Sequence, residues 1–233
     1  TRPEAVFNYA PQGGLSFILC RDADIKALVS RGYRNPTIRE LYMYKPANKE
    51  LNPVSLWNYE LSYRHFLIQR RMRLGINVFY LHSDDNIETQ MVNGRPLNVN
   101  TGELKNTGFE AEVNYRIWRG LHVGTNYSFL HMENPTLAAP EHKFNLSVGY
   151  HHDRFRVGSS LQCISGLYTA LATKDTPAVT ESFVLWNANA SVRIWRELWA
   201  NVKADNLLGQ EYEINAGFPM PKTTVMAGFN WTF

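Results

Sequence analysis

Apolar and polar residues alternate along most of this chain with a period of two, the pattern of strands that carry one apolar and one polar face. Leu15, Phe17 and Leu19 share a face, and a turn at residues 21–24 leads into a second strand over 25–34. Trp57, Tyr59, Leu61 and Tyr63 oppose Asn58, Glu60, Ser62 and Arg64, with a short turn near 68–71. Over 72–81, Met72, Leu74, Ile76, Val78 and Tyr80 oppose Arg73, Gly75 and Asn77, and a long polar loop is expected from Ser83 to Asn106. The return strand over 108–118 sets Phe109, Ala111, Val113, Tyr115 and Ile117 against Glu110, Glu112, Asn114 and Arg116. That row of ionisable groups is too regular for a sandwich core, whereas a polar lumen accepts it.

The pattern then repeats to the end of the chain. A turn at 118–120 precedes Leu121, Val123, Thr125, Tyr127 and Phe129, opposed by His122, Gly124, Asn126 and Ser128, and a loop at 131–142 follows. Phe144, Leu146, Val148 and Tyr150 oppose Lys143, Asn145, Ser147 and Gly149. After a turn at 151–154, Phe155, Val157, Ser159, Leu161 and Cys163 oppose Arg156, Gly158, Ser160 and Gln162, and residues 166–181 read as another long loop. Val184, Trp186, Ala188, Ala190, Val192 and Ile194 oppose Asn187, Asn189, Ser191 and Arg193, a turn at 195–197 leads to a strand over 198–206, and a loop over 207–222 precedes the last strand. There Val225, Ala227, Phe229, Trp231 and Phe233 oppose Lys222, Thr224, Met226, Gly228, Asn230 and Thr232. About eleven strands result, with short and long connections alternating. Each strand is long enough to cross a bilayer at a tilt, which is the architecture of an antiparallel transmembrane β-barrel of the bacterial outer membrane.

Composition narrows this only a little. The chain is 44% hydrophobic and 13% aromatic with a net charge of +3 over 233 residues, and its mean hydropathy of −0.34 alone reads as soluble. Alternating strands with glycines and aromatics also build soluble sandwiches. No apolar run approaches the roughly 20 residues of a membrane-spanning helix, so a membrane role has to come through strands closed into a barrel. No Lys/Arg run is present, so nucleic acid is not an expected partner. The sequence starts at Thr1 without an apolar export signal, and Cys20 and Cys163 read as unpaired.

The stretch over 31–63 carries the most specific signal. Tyr33-Arg34-Asn35-Pro36 is followed by Arg39-Glu40-Leu41-Tyr42, by Asn48-Lys49-Glu50-Leu51-Asn52-Pro53 and by Asn58-Tyr59-Glu60-Leu61. This order resembles the C-terminal barrel half of TonB-dependent outer-membrane receptors, with a variant "FRAP" box at Tyr33 and a variant "NPNL" box at Asn48. Asp205-Asn206-Leu207-Leu208-Gly209-Gln210-Glu211-Tyr212 resembles the "NLF-D-KEY" segment before the family's last strand, and the terminal Phe233 resembles its assembly signal.

The resemblance implies half of a roughly 22-stranded barrel whose lumen is plugged. It also implies that residues 1–233 are the C-terminal part of a receptor. The N-terminal plug domain and the TonB-binding segment have no counterpart in this sequence, so the N-terminal half of the same receptor is the first expected partner, then the TonB system, the outer-membrane lipid and a small-molecule ligand. A ferric siderophore is the ligand class the resemblance favours; cobalamin, a metal ion and an oligosaccharide stay open. The haem branch of the family carries a His between the two boxes, and residues 35–51 contain none. No cofactor is implied.

The expected ligand residues lie at the outer mouth. Arg34 and Arg39 suit carboxylates or other anions, and Tyr42, Tyr44 and Tyr168 offer flat surfaces to a bulky ligand. The plainer role for both arginines is structural pairing with Glu40 and Glu50. No catalytic constellation is visible: the seven histidines are scattered and His151-His152 falls in a predicted turn, so no enzyme is expected; a passive porin and an outer-membrane hydrolase are the alternatives to uptake.

Overall fold

The computed structural model describes residues 7–45, 47–173 and 176–232. In chain order its elements are β1 (Gln12–Cys20), β2 (Ala23–Arg34), α1 (Ile38–Tyr42), β3 (Val54–Leu67), β4 (Met72–Val92), β5 (Arg95–Trp118), β6 (Leu121–Met132), β7 (Pro140–His151), β8 (Phe155–Ala170), β9 (Val179–Trp195), β10 (Leu198–Asp205), β11 (Glu213–Asn215), β12 (Phe218–Pro219) and β13 (Thr224–Trp231). Eleven of the strands form one antiparallel sheet in the order β1 to β10 and then β13, while β11 and β12 pair as a separate small hairpin. All neighbours in the large sheet are consecutive in sequence except β10 and β13, which enclose that hairpin. No described helix is long and apolar enough to cross a membrane.

The register carries one apolar face across the whole sheet. Val29 pairs with Tyr59, Tyr59 with Tyr80, Val78 with Phe109 and Phe109 with Phe129. Tyr127 pairs with Phe144, Phe144 with Cys163, Leu161 with Trp186, Val192 with Ala200 and Ala200 with Phe229. Trp57, Tyr115, Val192 and Trp231 share this face, and Glu60, Glu112, Asn145, Arg193 and Asn230 lie on the other. Because side chains alternate with period two, a one-residue slip would reverse every one of these positions.

The polar face is the concave one: two hollows of about 1130 and 620 Å³ lie mostly against its residues. Its ionisable groups pair along the wall, Arg64 with Asp24 at 2.9 Å and Arg73 with Glu112 at 3.1 Å. Glycines make room on this wall. A Cβ at Gly75 would meet Glu112 at 2.9 Å, and one at Gly108 would meet the Phe79 ring at 2.5 Å.

The sheet is open. Exposure of the apolar face is greatest at its edges, where Phe17 is 68% and Phe229 76% exposed against 38% for Phe109 in the middle. The tight turns at 21–22, 68–71, 119–120, 152–154 and 196–197 all lie at one end. At Gly120 the backbone takes φ +79°, and a Cβ would sit 2.0 Å from the His151 carbonyl oxygen, so that turn requires glycine.

Three expectations are corrected. Residues 83–106 are not a loop: β4 and β5 run on to a two-residue turn at Asn93-Gly94, where φ is 51° and 74°. Positive φ at both central residues suits a hairpin turn of primed type, for which Asn-Gly is the favoured pair. The expected loop over 166–181 is shortened to 171–178, since β8 ends at Ala170 and β9 starts at Val179. The loop over 207–222 contains the β11–β12 hairpin. Both cysteines are free. Phe233, the expected assembly signal, lies outside the described residues.

Candidate functional site

The long connections gather at the end opposite the tight turns, and two of them are pinned by a few polar residues. After β2 the chain enters α1, a single turn whose N-cap Thr37 accepts from the Glu40 backbone N–H while the Glu40 carboxylate accepts from the Thr37 N–H at 2.7 Å. This reciprocal capping box satisfies two donors that a helix start otherwise leaves free. Arg34, at the end of β2, donates to both Glu40 carboxylate oxygens at 2.7 and 3.0 Å. The guanidinium, aided by the two Thr37 donors, lowers the Glu40 pKa to about 2.

Beyond α1, the connection lies along the extended β4–β5 hairpin. Asn98 is 5% exposed and donates to the Glu40 carbonyl at 2.7 Å, while its own carbonyl accepts from Asn48 at 2.8 Å. Asn100 accepts from the Asn52 N–H at 2.7 Å and donates to the Asp85 carbonyl at 2.7 Å. Leu51 is buried beside them. The segment 48–53 is therefore a clasp between a loop and a hairpin. Asn98 and Asn100 were missed in the sequence because the hairpin was read as loop; Asn93-Gly94 was the signal that finds it.

A second clasp closes the β10–β13 connection. Asn206, 4% exposed with φ 52°, donates to the carbonyls of Gln210 and Pro221 at 2.8 and 3.2 Å. Its side-chain oxygen accepts from the Gln210 N–H at 2.9 Å, and its carbonyl accepts from Thr223 at 2.8 Å. Tyr212 then packs against Phe183 with ring centroids 4.3 Å apart, over the buried Ile164 and Leu167.

Of the expected ligand residues, α1 and its flanks bring together Arg34, Arg39, Tyr42 and Tyr44. Arg34 is half exposed and engaged by Glu40, the plainer of its two expected roles. Arg39 is exposed and meets the Met43 sulfur at 3.2 Å rather than Glu50. Tyr42 is 52% exposed, with the Lys49 ammonium 5.7 Å above its ring, and Tyr44 is half-buried. Tyr168 sits at the same end but on β8, six strands along from β2. His82, Asp84 and Glu103 also converge within 4.8 Å on the β4–β5 extension, but Lys105 already pairs with Glu103 there at 2.5 Å. His152 stacks on Phe155 at the opposite end.

An open antiparallel sheet with an apolar convex face, a charged concave face, tight turns at one end and clasped loops at the other is a segment of a bacterial outer-membrane barrel. The family model described as TonB dependent receptor-like, beta-barrel, matches residues 2–207, and the chain belongs to that family. The sheet superposes on the ferric-catecholate import receptor Fiu from E. coli K12 with a TM-score of 0.77 at 19% identity, covering 95% of this chain and 34% of that one. It superposes on the ferric enterobactin receptor of Pseudomonas aeruginosa with a TM-score of 0.81 at 14% identity, covering 97% and 40%. The copper transporter OprC gives 0.78 at 16%, covering 94% and 39%. No curated protein matches the chain by sequence. The chain thus spans well under half the length of these receptors.

Proposed function

We propose that this chain is the C-terminal part of a receptor that imports a scarce ligand, a ferric siderophore first among the candidates, across the outer membrane with energy delivered through TonB. The remaining strands and the plug domain are its first partners, and the outer-membrane lipid surrounds its apolar face. The observation that carries the reading is the clasped outer mouth: long connections are held in place by Asn98, Asn100 and Asn206, which is the construction of a binding rim on a rigid wall. The structural likeness to iron and copper importers supports the ligand class. Arg39, Tyr42 and Tyr44 are the proposed contacts on α1 and its exit, Tyr168 is a further contact across the mouth, and Arg34 sets the orientation of α1 beneath them.

The test is uptake by a receptor-deleted strain carrying the whole receptor, supplied in turn with iron chelates, corrinoids and glycans, with and without TonB. Rescue on a ferric siderophore that vanishes without TonB is the expected result. Rescue that persists without TonB is the outcome of a passive porin. Arg39→Ala combined with Tyr42→Ala should weaken binding of the transported chelate about tenfold, the loss of roughly 1.4 kcal/mol, at unchanged receptor abundance.

A further inference from the structure

The apolar, lipid-facing surface carries two aromatic rows. On the clasped side Trp57, Tyr59 and Tyr80 follow one another with ring centroids 6.2 and 6.1 Å apart. On the side of the tight turns, Trp118 and Trp195 are 69% and 59% exposed. Register shifts just before them set Trp118 opposite Leu121 and Trp195 opposite Leu198, which brings both rings onto the apolar face. Eleven residues separate Trp118 from Thr107, the partner of Tyr80 across the strands. At about 3.3 Å per residue and a tilt of about 40° the two rows stand roughly 28 Å apart, close to the apolar band of about 25 Å between the two girdles of an outer-membrane barrel. The tryptophans therefore mark the boundary of the hydrocarbon, and the residues that follow them lie at the level of the headgroups.

Those residues are arginines. Each of the five tight turns carries at least one: Arg21, Arg70 with Arg71, Arg119, Arg154 and Arg196. Three acids share these turns, Asp22, Asp153 and Glu197. Asp22 takes Arg70 at 2.8 Å, and Arg71 donates to the carbonyls of Arg116 and Ile117. The side chains of Arg21, Arg119, Arg154 and Arg196 are exposed and make no ion pair or hydrogen bond among the described residues. Arg196 lies over the Trp195 ring, 5.0 Å from its centroid, which holds its guanidinium on the lipid side of the rim.

We propose that this rim binds the phosphate groups of anionic phospholipid headgroups in the inner leaflet of the outer membrane, with Arg119, Arg154 and Arg196 as its central contacts. The proposal rests on the reading of the chain as a barrel wall whose clasped loops face outward, and it concerns the lipid rather than the imported ligand. A guanidinium offers a phosphate two parallel N–H donors, and each arginine at a headgroup surface strengthens binding roughly fivefold. Consecutive turns are two strands apart, about 10 Å across the strands, so neighbouring guanidiniums reach separate headgroups. Asp153 and Glu197 sit beside Arg154 and Arg196 and temper their charge, whereas the turn of Arg119 holds only Gly120. Arg119 is therefore the strongest single contact. The rim is exposed, so its preference for anionic lipid weakens with salt.

The experiment uses the whole receptor in a neutral detergent and follows energy transfer from its tryptophans to an acyl-labelled phosphatidylglycerol, with acyl-labelled phosphatidylcholine as the zwitterionic control. The wild type should bind phosphatidylglycerol more tightly than phosphatidylcholine, and the difference should shrink at high salt. Arg119→Gln/Arg154→Gln/Arg196→Gln should lose that preference, while heat-modifiable migration, which reports the barrel, stays that of the wild type. Should the triple variant not assemble, Arg119→Gln alone carries the test and should cut the preference roughly fivefold. A wild type without the preference, or variants that keep it in full, would overturn the proposal. So would competition by inorganic phosphate beyond that of sodium chloride at equal ionic strength, the mark of a site for a free anion. Neither readout involves ligand uptake or TonB, so failure of the siderophore assignment leaves this result interpretable.

Discussion

Single side chains, mostly Asn, Glu and Arg, organise the outer mouth. Glu40 serves at once as the capping residue of α1 and as the partner of Arg34, and its pKa falls from 4.5 to about 2. A depressed carboxylate contributes stability that is present in full above the unfolded value and is lost as pH falls through the folded one. Order in α1 should therefore be unchanged from neutrality down to about pH 5 and decay as pH falls further toward 2. Glu40→Gln should remove that decay and leave the segment 35–53 more open at neutral pH, by about 0.5–2 kcal/mol as for other lost caps. Hydrogen exchange at the amides of Glu40 and Leu41 across a pH series reads both effects, and an unchanged pH profile in the variant would show that Glu40 is not the titrating group. Asn206 is the stronger test of a buried hub. Asn206→Ala removes the bonds to the Gln210 N–H and to the carbonyls of Gln210 and Pro221, each worth about 0.5–1.5 kcal/mol. Proteolysis within residues 207–222 should accelerate at least tenfold while the strands stay protected.

The strands were legible in the sequence wherever they separate lipid from a wet lumen. That is why the faces of Met72–Tyr80, Phe109–Ile117 and Leu121–Phe129 were read in the register the structure shows. Beyond the bilayer the same logic fails, because both faces of a strand are wet and nothing enforces alternation. Glu88, Thr89 and Gln90 run consecutively in β4, and Asn98 and Asn100 in β5 are polar for the sake of a loop far away in sequence. The hairpin was announced only by its turn, Asn93-Gly94. An epitope inserted after Gly94 should be accessible on intact cells, and detection only after permeabilisation would invert the topology. Gly94→Val should destabilise the turn by about 1–2 kcal/mol, the penalty of left-handed backbone for a residue with a Cβ, and loosen the Asn98 and Asn100 clasp with it. The site was legible to a lesser degree. Arg39, Tyr42 and Tyr44 were placed beside one another by the chain itself, but the role of Arg34 depended on a contact with Glu40 that spacing alone left open.

For the molecule as a whole, the decisive quantity is the edge. β1 and β13 each pair on one side only, and they carry exposed apolar residues, Leu15 at 80% and Phe229 at 76%. In hydrocarbon every unpaired backbone donor or acceptor costs several kcal/mol, so a sheet with two open edges cannot persist there as a single chain. Charge on the concave face adds to this. Glu110, Glu112, Lys143 and Arg193 tolerate a water-filled or plugged lumen and would not tolerate lipid. The 233 residues alone should therefore fail to insert into liposomes as a heat-resistant monomer and should conduct no solute. Coexpression with the upstream half should restore heat-modifiable migration. In the restored barrel, single cysteines at positions 112 and 145 should react with a membrane-impermeant thiol reagent once the plug is displaced by urea, and those at 113 and 144 should not. Reaction at 113 and 144 instead would place the charged wall toward lipid. A conducting monomer formed by this chain alone would require β1 and β13 to meet each other, which would make the sheet a closed barrel of eleven strands in place of one half of a larger wall.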